Sequence, residues 1–172
     1  MRNTFQISIR EEIDSDIDTI HSITEAAFRG KPYAGGDEQI IIDRLRKSGK
    51  LTLSLVALVN DTVIGHIAFS PVSTSDDSQP WLALGPVSVQ PKYQHNGVGS
   101  ELIRKGLAQI EKQGARGCVL TGNPEFYRKF GFELAPESAP SDEERDYFMM
   151  RCFTRFKSHG SINFDSAFYG DV

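Results

Sequence analysis

A single mixed α/β domain with a largely antiparallel sheet is what this 172-residue sequence predicts. Its apolar patterns run strand, two helices, three strands, helix, strand, helix, an order that fits a sheet flanked by helices. At residues 87–100 a strand passes through a glycine turn straight into an amphipathic helix. The length is within one domain yet supports a substantial core, and no repeat or low-complexity linker divides it, so one domain over 1–172 is expected.

Taken in order, Phe5, Ile7 and Ile9 alternate with Gln6, Ser8 and Arg10, the period of a half-buried strand. Asp14, Ser15 and Asp16 supply capping oxygens and favourable charge for a helix whose Ile17, Ile20, Thr24, Ala27 and Phe28 share a face. Gly30 and Pro32 end it, and the loop Gly30 to Gly36 leads to a second helix from about Asp37 to Gly49, with Ile41 and Leu45 inward. Leu51–Val59 and Thr62–Ser70 are apolar, β-branched runs joined by Asn60-Asp61, which predicts an antiparallel hairpin. Trp81–Val89 is the next strand. Proline cannot donate a ladder hydrogen bond, so Gly85-Pro86 is expected to be a bulge that interrupts pairing, although a kinked edge strand would read the same way.

Beyond Ser100, Leu102, Ile103, Leu107 and Ile110 fall on one helical face. Gly117–Thr121 reads as a buried strand broken by Gly122-Asn123-Pro124, and Glu125–Phe130 as one or two helical turns stopped by Gly131. Residues 137–146 are polar and acidic, hence a solvated loop, and Tyr147–Phe153 is a further strand. Weak alternation over Gly160–Asp165, with Phe168-Tyr169 to bury, predicts a final strand.

Composition excludes several classes. The net charge is −4 and the basic residues are scattered, so nucleic acid is not an expected partner. Cys118 and Cys152 lack ligand spacing, which argues against a disulfide framework and against any metal site; Cys118, inside an apolar run, reads as a core residue. Met1–Phe5 holds no signal-like apolar run and no stretch is long enough to span a bilayer, so a cytoplasmic protein with no membrane partner is expected.

The chemistry lies at the glycine turn, Gln94-His95-Asn96-Gly97-Val98-Gly99-Ser100. A helix start leaves its first N–H groups without partners and carries partial positive charge, so an oxygen-rich anion docks there without a lysine. Glycines at 97 and 99 let the anion approach the backbone. A nucleoside-triphosphate loop would need Gly-Lys-Ser/Thr, but Gly99 is followed by Ser100-Glu101; a dinucleotide fingerprint would need Gly or Ala where Leu102 stands. The segment resembles instead the acetyl-coenzyme A signature Gln/Arg-x-x-Gly-x-Gly/Ala of the GCN5-related N-acetyltransferase (GNAT) family. Tyr127 followed four residues later by Gly131-Phe132 is similar to that family's second motif, and the lead-in from Asn123 to Tyr127 resembles a subgroup of small bacterial acetyltransferases.

The resemblance implies the GNAT fold, with strands splayed at the cofactor site, and acetyl-CoA as co-substrate. It implies a pyrophosphate on the amides of Gln94, His95, Asn96, Gly97, Val98 and Gly99, with the Ser100 hydroxyl added. A pantetheine arm would lie along the backbone of Val87, Ser88 and Val89 within reach of Asn123, and Tyr127 would be the catalytic acid at the leaving sulfur. It also implies acetyl transfer to a primary amine, on a small molecule or a peptide, by direct attack in a ternary complex, and is compatible with a homodimer. Glu38 and His66 are the candidates for a base, each with a structural reading beside the functional one. A coenzyme-A-binding sensor without turnover is the alternative that these motifs leave open.

Overall fold

The computed structural model describes residues 5–155 and 160–170. Its elements in chain order are β1 (Ser8–Glu11), α1 (Ile17–Phe28), α2 (Glu38–Lys47), β2 (Leu53–Val59), β3 (Thr62–Pro71), β4 (Ser73–Thr74) and β5 (Trp81–Val89). There follow α3 (Val98–Lys112), β6 (Gly117–Thr121), α4 (Pro124–Tyr127), β7 (Glu133–Leu134), β8 (Phe148–Cys152) and β9 (Ile162–Asn163). Seven strands form one sheet in the order β1-β2-β3-β5-β6-β8-β7, and β4 pairs with β9 in a small second sheet. All pairings are antiparallel except that of β5 with β6.

Local chemistry explains the strongest elements. Asn60 and Asp61 both take left-handed φ, 49° and 63°, so a two-residue turn returns β2 into β3 with Val59 opposite Thr62. On one face of the sheet Leu102, Ile103, Leu107 and Ile110 of α3 pack on Leu55, Ile67, Phe69 and Leu84. On the other, Ile20, Ile23 and Ile42 of α1 and α2 cover Val56, Leu58 and Ala68. The sheet is therefore the middle of three layers.

One interruption positions everything that follows. β5 and β6 pair in parallel only at Trp81–Gly117, Leu82–Cys118 and Ala83–Val119. Leu84 then faces Phe69 and Val87 faces Ile67 across β3, so Gly85 and Pro86 stand opposite Ala68 alone, which is the expected bulge. Past it β5 keeps only β3 as a neighbour, with Val87, Ser88 and Val89 opposite Ile67, His66 and Gly65. Leu120 and Thr121 of β6 keep only β8. A wedge opens between the two parallel strands.

Several elements differ from the sequence expectation. The first strand begins at Ser8, because Phe5 leaves the sheet to stack edge-on against Tyr93, ring centroids 5.2 Å apart. After Asn123 the helix is one turn, continued by a 3-10 turn at Arg128–Phe130 that ends on Gly131 at φ 87°. The acidic 137–146 segment is flanked by two 3-10 turns, and Ser138 within the first is buried. The final strand shrinks to the two residues of β9 and joins β4 rather than the main sheet. The amino-terminal reading rests largely on Met1–Thr4, which lie outside the described residues; among those described, no helix is long and apolar enough to cross a membrane.

The α3 layer leaves no spare volume at Gly106, where an added Cβ would overlap the ring of the fully buried Phe69. Gly106→Ala should therefore destabilise the protein by about 1–3 kcal/mol, even though alanine gains up to ~1 kcal/mol in helix propensity. Urea unfolding checks the sign: a more stable Gly106→Ala would mean that α3 sits further from β3 than described.

Candidate active site

The turn that closes β5 is built by its own side chains. The Gln94 amide group donates to Val89 O at 2.9 Å, and the Asn96 amide group donates to Tyr93 O at 3.2 Å and Gln94 O at 2.9 Å. The backbone N–H of Gln94 is committed as well, to Pro91 O at 3.2 Å. Both Gln94 and Asn96 thus hold the loop shut. His95 is exposed with φ 66°, and Gly97 enters α3 at φ 83°, where a side chain would be strained. Val98 turns inward and is buried. The first intrahelical N–H is that of Glu101, bonded to Gly97 O, so the N–H groups of Val98, Gly99 and Ser100 are left without helical acceptors. Gly99 has an ordinary backbone. A Cβ there would touch only Val89, at 3.8 Å, so what glycine provides at 99 is open space above the helix start.

Tyr127 stands on α4, which follows β6, the other wall of the wedge. Asn123 accepts the N–H of Glu125 at 3.0 Å and so caps α4; this bond fixes where the tyrosine begins its turn. The ring is held edge-on by Phe126 and Phe132, with centroids 4.9 and 6.0 Å away, and a Cβ on Gly122 would come within 2.6 Å of it. Burial, with smaller contributions from neighbouring Cys118 and Tyr33, pushes the phenol up to about 12, so it stays protonated at neutral pH. Cys118 is fully buried, and burial raises its thiol so far that it is no nucleophile, as its place in an apolar strand implied.

With a helix start whose first N–H groups lack helical acceptors on one wall of a splayed parallel pair, and a protonated tyrosine on the other, the comparison with known families is decisive. The family profile for the acetyltransferase (GNAT) domain matches residues 8–135. The chain belongs to the GNAT acetyltransferase family. The N-acetyltransferase YhbS of Escherichia coli K12 is 35% identical over 128 residues, 74% of each chain. A GNAT acetyltransferase of Brucella melitensis, crystallised with acetyl-CoA, is 43% identical with a TM-score of 0.84 over 96% of this chain and 99% of its own. The crystal structure of E. coli YhbS with CoA superposes with a TM-score of 0.87 at 27% identity, over 98% of this chain and 95% of that one.

The two candidate bases of this GNAT chain are both engaged in structure. Glu38, at the start of α2, accepts the N–H groups of Gly35 and Gly36 at 2.7 and 3.1 Å and so folds the loop between α1 and α2. It borders a shallow pocket of about 310 Å³ shared with Phe28, Lys31, Ala34 and Gln39. His66 is fully buried on the α1 side of the sheet, with Nε2 2.7 Å from Ser54 Oγ. Ser54 donates its proton to Glu12, which is also held by Arg46 at 3.0 Å. Since that proton is spent, Ser54 accepts from His66 Nε2–H, and Nδ1 is left as a bare lone pair without a partner among the described residues. Ser88 makes a related buried contact, 3.1 Å from the Thr24 hydroxyl, so its side chain faces α1 while its backbone borders the wedge. This polar layer was missed at Glu12, Ser54 and Thr24. The available signal was two polar residues, Ser54 and His66, breaking the apolar runs of adjacent strands.

The network ties stability to pH. Burial pulls the His66 imidazole down to about 4, outweighing the attraction of Glu12, whereas Arg46 and Ser54 hold the Glu12 carboxyl below its usual range against the opposing effect of its own burial. Between the ordinary histidine value near 6.5 and about 4, the unfolded chain binds a proton that the native chain refuses, so stability falls as pH falls through that window. The full loss is on the order of 3 kcal/mol, and Glu12 adds to it at lower pH. His66→Gln, which cannot titrate, should flatten the slope between pH 6.5 and 4.5 in urea denaturation; an unchanged slope would assign it to another group.

Proposed function

We propose that the chain transfers an acetyl group from acetyl-coenzyme A to a primary amine by direct attack in a ternary complex. The observation that carries this reading is the wedge, which sets a helix start able to hold a diphosphate on one wall and a tyrosine on the other, where the pairing of β5 with β6 ends. Acetyl-CoA as co-substrate accords with the bound acetyl-CoA and CoA of the two similar crystal structures. In this reading the pyrophosphate rests on the helix start at Val98 to Ser100, beside His95 and Gly97, while Gln94 and Asn96 keep the turn in shape. The pantetheine arm takes the place of the missing strand beside Val87, Ser88 and Val89, pairing with main chain rather than side chains. A backbone N–H there faces the thioester oxygen as charge develops on it.

The amine attacks in its neutral form: a C–N bond forms at the carbonyl carbon, the C–S bond breaks, and the electron pair leaves on sulfur. The raised phenol refines the role expected of Tyr127. A phenol held near 12 is a much weaker acid than a thiol, so it does not give up its proton to a thiolate, and Tyr127 instead donates a hydrogen bond to the departing sulfur. The proton that ends on the thiol comes from the ammonium formed on attack, passed through water. That route needs no protein base, in keeping with the structural bonds of Glu38 and His66.

Two variants test the site. Gly99→Val leaves the fold intact, since a Cβ there meets only Val89, but its branches fill the space over the helix start. Acetyl-CoA affinity in calorimetry should drop at least tenfold, and an unchanged affinity would place the cofactor elsewhere. Tyr127→Phe should bind the cofactor as well as wild type but transfer acetyl roughly ten to a hundred times more slowly in single turnover, the worth of one hydrogen bond to a developing anion. An unchanged rate in the folded variant would remove Tyr127 from the chemistry, and thioester binding without turnover of any amine would favour a sensor.

A further inference from the structure

Of the exposed cations near the turn, two are brought together by the fold although 25 residues separate them in sequence. The Arg104 guanidinium, on the second turn of α3, lies 5.2 Å from the centroid of the Phe130 ring. The Lys129 ammonium, in the 3-10 turn after α4, lies 5.3 Å from the same centroid and 4.2 Å from that of Phe126. Both side chains thus reach the ring of Phe130. Neither forms an ion pair with a carboxylate among the described residues. Two like charges that share one ring repel each other, and an anion placed between them would relieve that repulsion. Lys92 instead lies over Tyr93, and among the described residues no such ring contact holds Lys105.

The position of this pair relative to the helix start is informative. Arg104 follows Ser100 by four residues, so the two project from the same helical face, about one turn or ~6 Å apart. An anion on the amides at Ser100 and an anion between Arg104 and Lys129 would therefore be one helical turn apart. Coenzyme A carries such a pair: the diphosphate on the 5′ oxygen of its ribose and a lone monoester on the 3′ oxygen, with only the sugar between them. A guanidinium offers paired donors to a phosphate, and an ammonium supplies a compact charge opposite it.

We propose that Arg104 and Lys129 form a second phosphate seat, which takes the 3′-phosphate of coenzyme A and makes the enzyme discriminate against carriers that lack it. The seat rests on the co-substrate reading above. Phe126 and Phe130 act as its floor, holding the two cations in place before the ligand arrives and so lowering the entropy lost on binding.

Calorimetry with coenzyme A and with 3′-dephospho-coenzyme A tests it. Wild type should prefer coenzyme A by about tenfold or more, with a preference that shrinks as salt is raised. Arg104→Ala and Lys129→Ala should each weaken coenzyme A binding severalfold while leaving the dephospho compound within about twofold, whereas Lys105→Ala should change neither, and Arg104→Lys should recover part of the preference. Lys129 lies on an exposed turn, so its variant carries the test if Arg104→Ala disturbs α3. Equal affinity of wild type for both compounds, with both lost in Gly99→Val, would overturn the seat and leave the diphosphate site standing. Failure of wild type to bind either would overturn the co-substrate reading and the seat with it.

Discussion

The hydrogen bonds that β5 and β6 fail to make govern this molecule. Three residue pairs join the strands, and after Ala83 each keeps a partner only on its far side. A parallel pair left open in the middle of a sheet exposes backbone that must be satisfied by something other than a strand. The bulge at Gly85-Pro86 turns β5 away at the point where the pairing ends, and the three-layer core keeps both walls from closing the gap. The helix start at Val98 and the tyrosine on α4 are useful because each follows directly from one of those two strands.

The elements readable from sequence were those whose local chemistry and periodicity agree. Asn60-Asp61 between two β-branched runs leaves little choice but a tight hairpin, and the face of α3 marked by Leu102, Ile103, Leu107 and Ile110 is the face that is buried. The short strands β4, β7 and β9 were not readable, since two residues carry no period and their pairing is decided by distant chain. Phe5 misled for the same reason: it alternates like a strand residue, yet a ring in the turn, 88 residues on, offers it a better contact than the sheet edge.

Glycine spacing and the tyrosine motif located the two walls of the wedge, because a helix entered through a left-handed Gly97 and a cap at Asn123 need particular residue types at fixed offsets. What the motif residues do was less visible. Gln94 and Asn96 belong to the glycine motif in sequence, and in the fold their side-chain amides hold the turn that leads into α3. The buried layer of Glu12, Ser54 and His66 joins three strands and lies beyond any local pattern, as does the meeting of Arg104 with Lys129 over Phe130.

The narrow seam at Trp81 to Ala83 also bears on how a sheet can be left incomplete without offering a free edge. An unpaired strand edge is normally a template on which another chain can lay itself down, the first step toward aggregation. Here the two open edges face one another within a single sheet, and their separation closes to an ordinary ladder at Ala83. A foreign strand finds no free flank along which to extend its pairing; it would have to thread the gap end-on and stop within a few residues. A thin, flexible arm that brings its own amide groups would meet no such barrier, since it could enter from the open end and satisfy the exposed backbone. A gap bounded on both sides by one sheet thus exposes backbone without presenting the flat outer edge on which chains commonly associate.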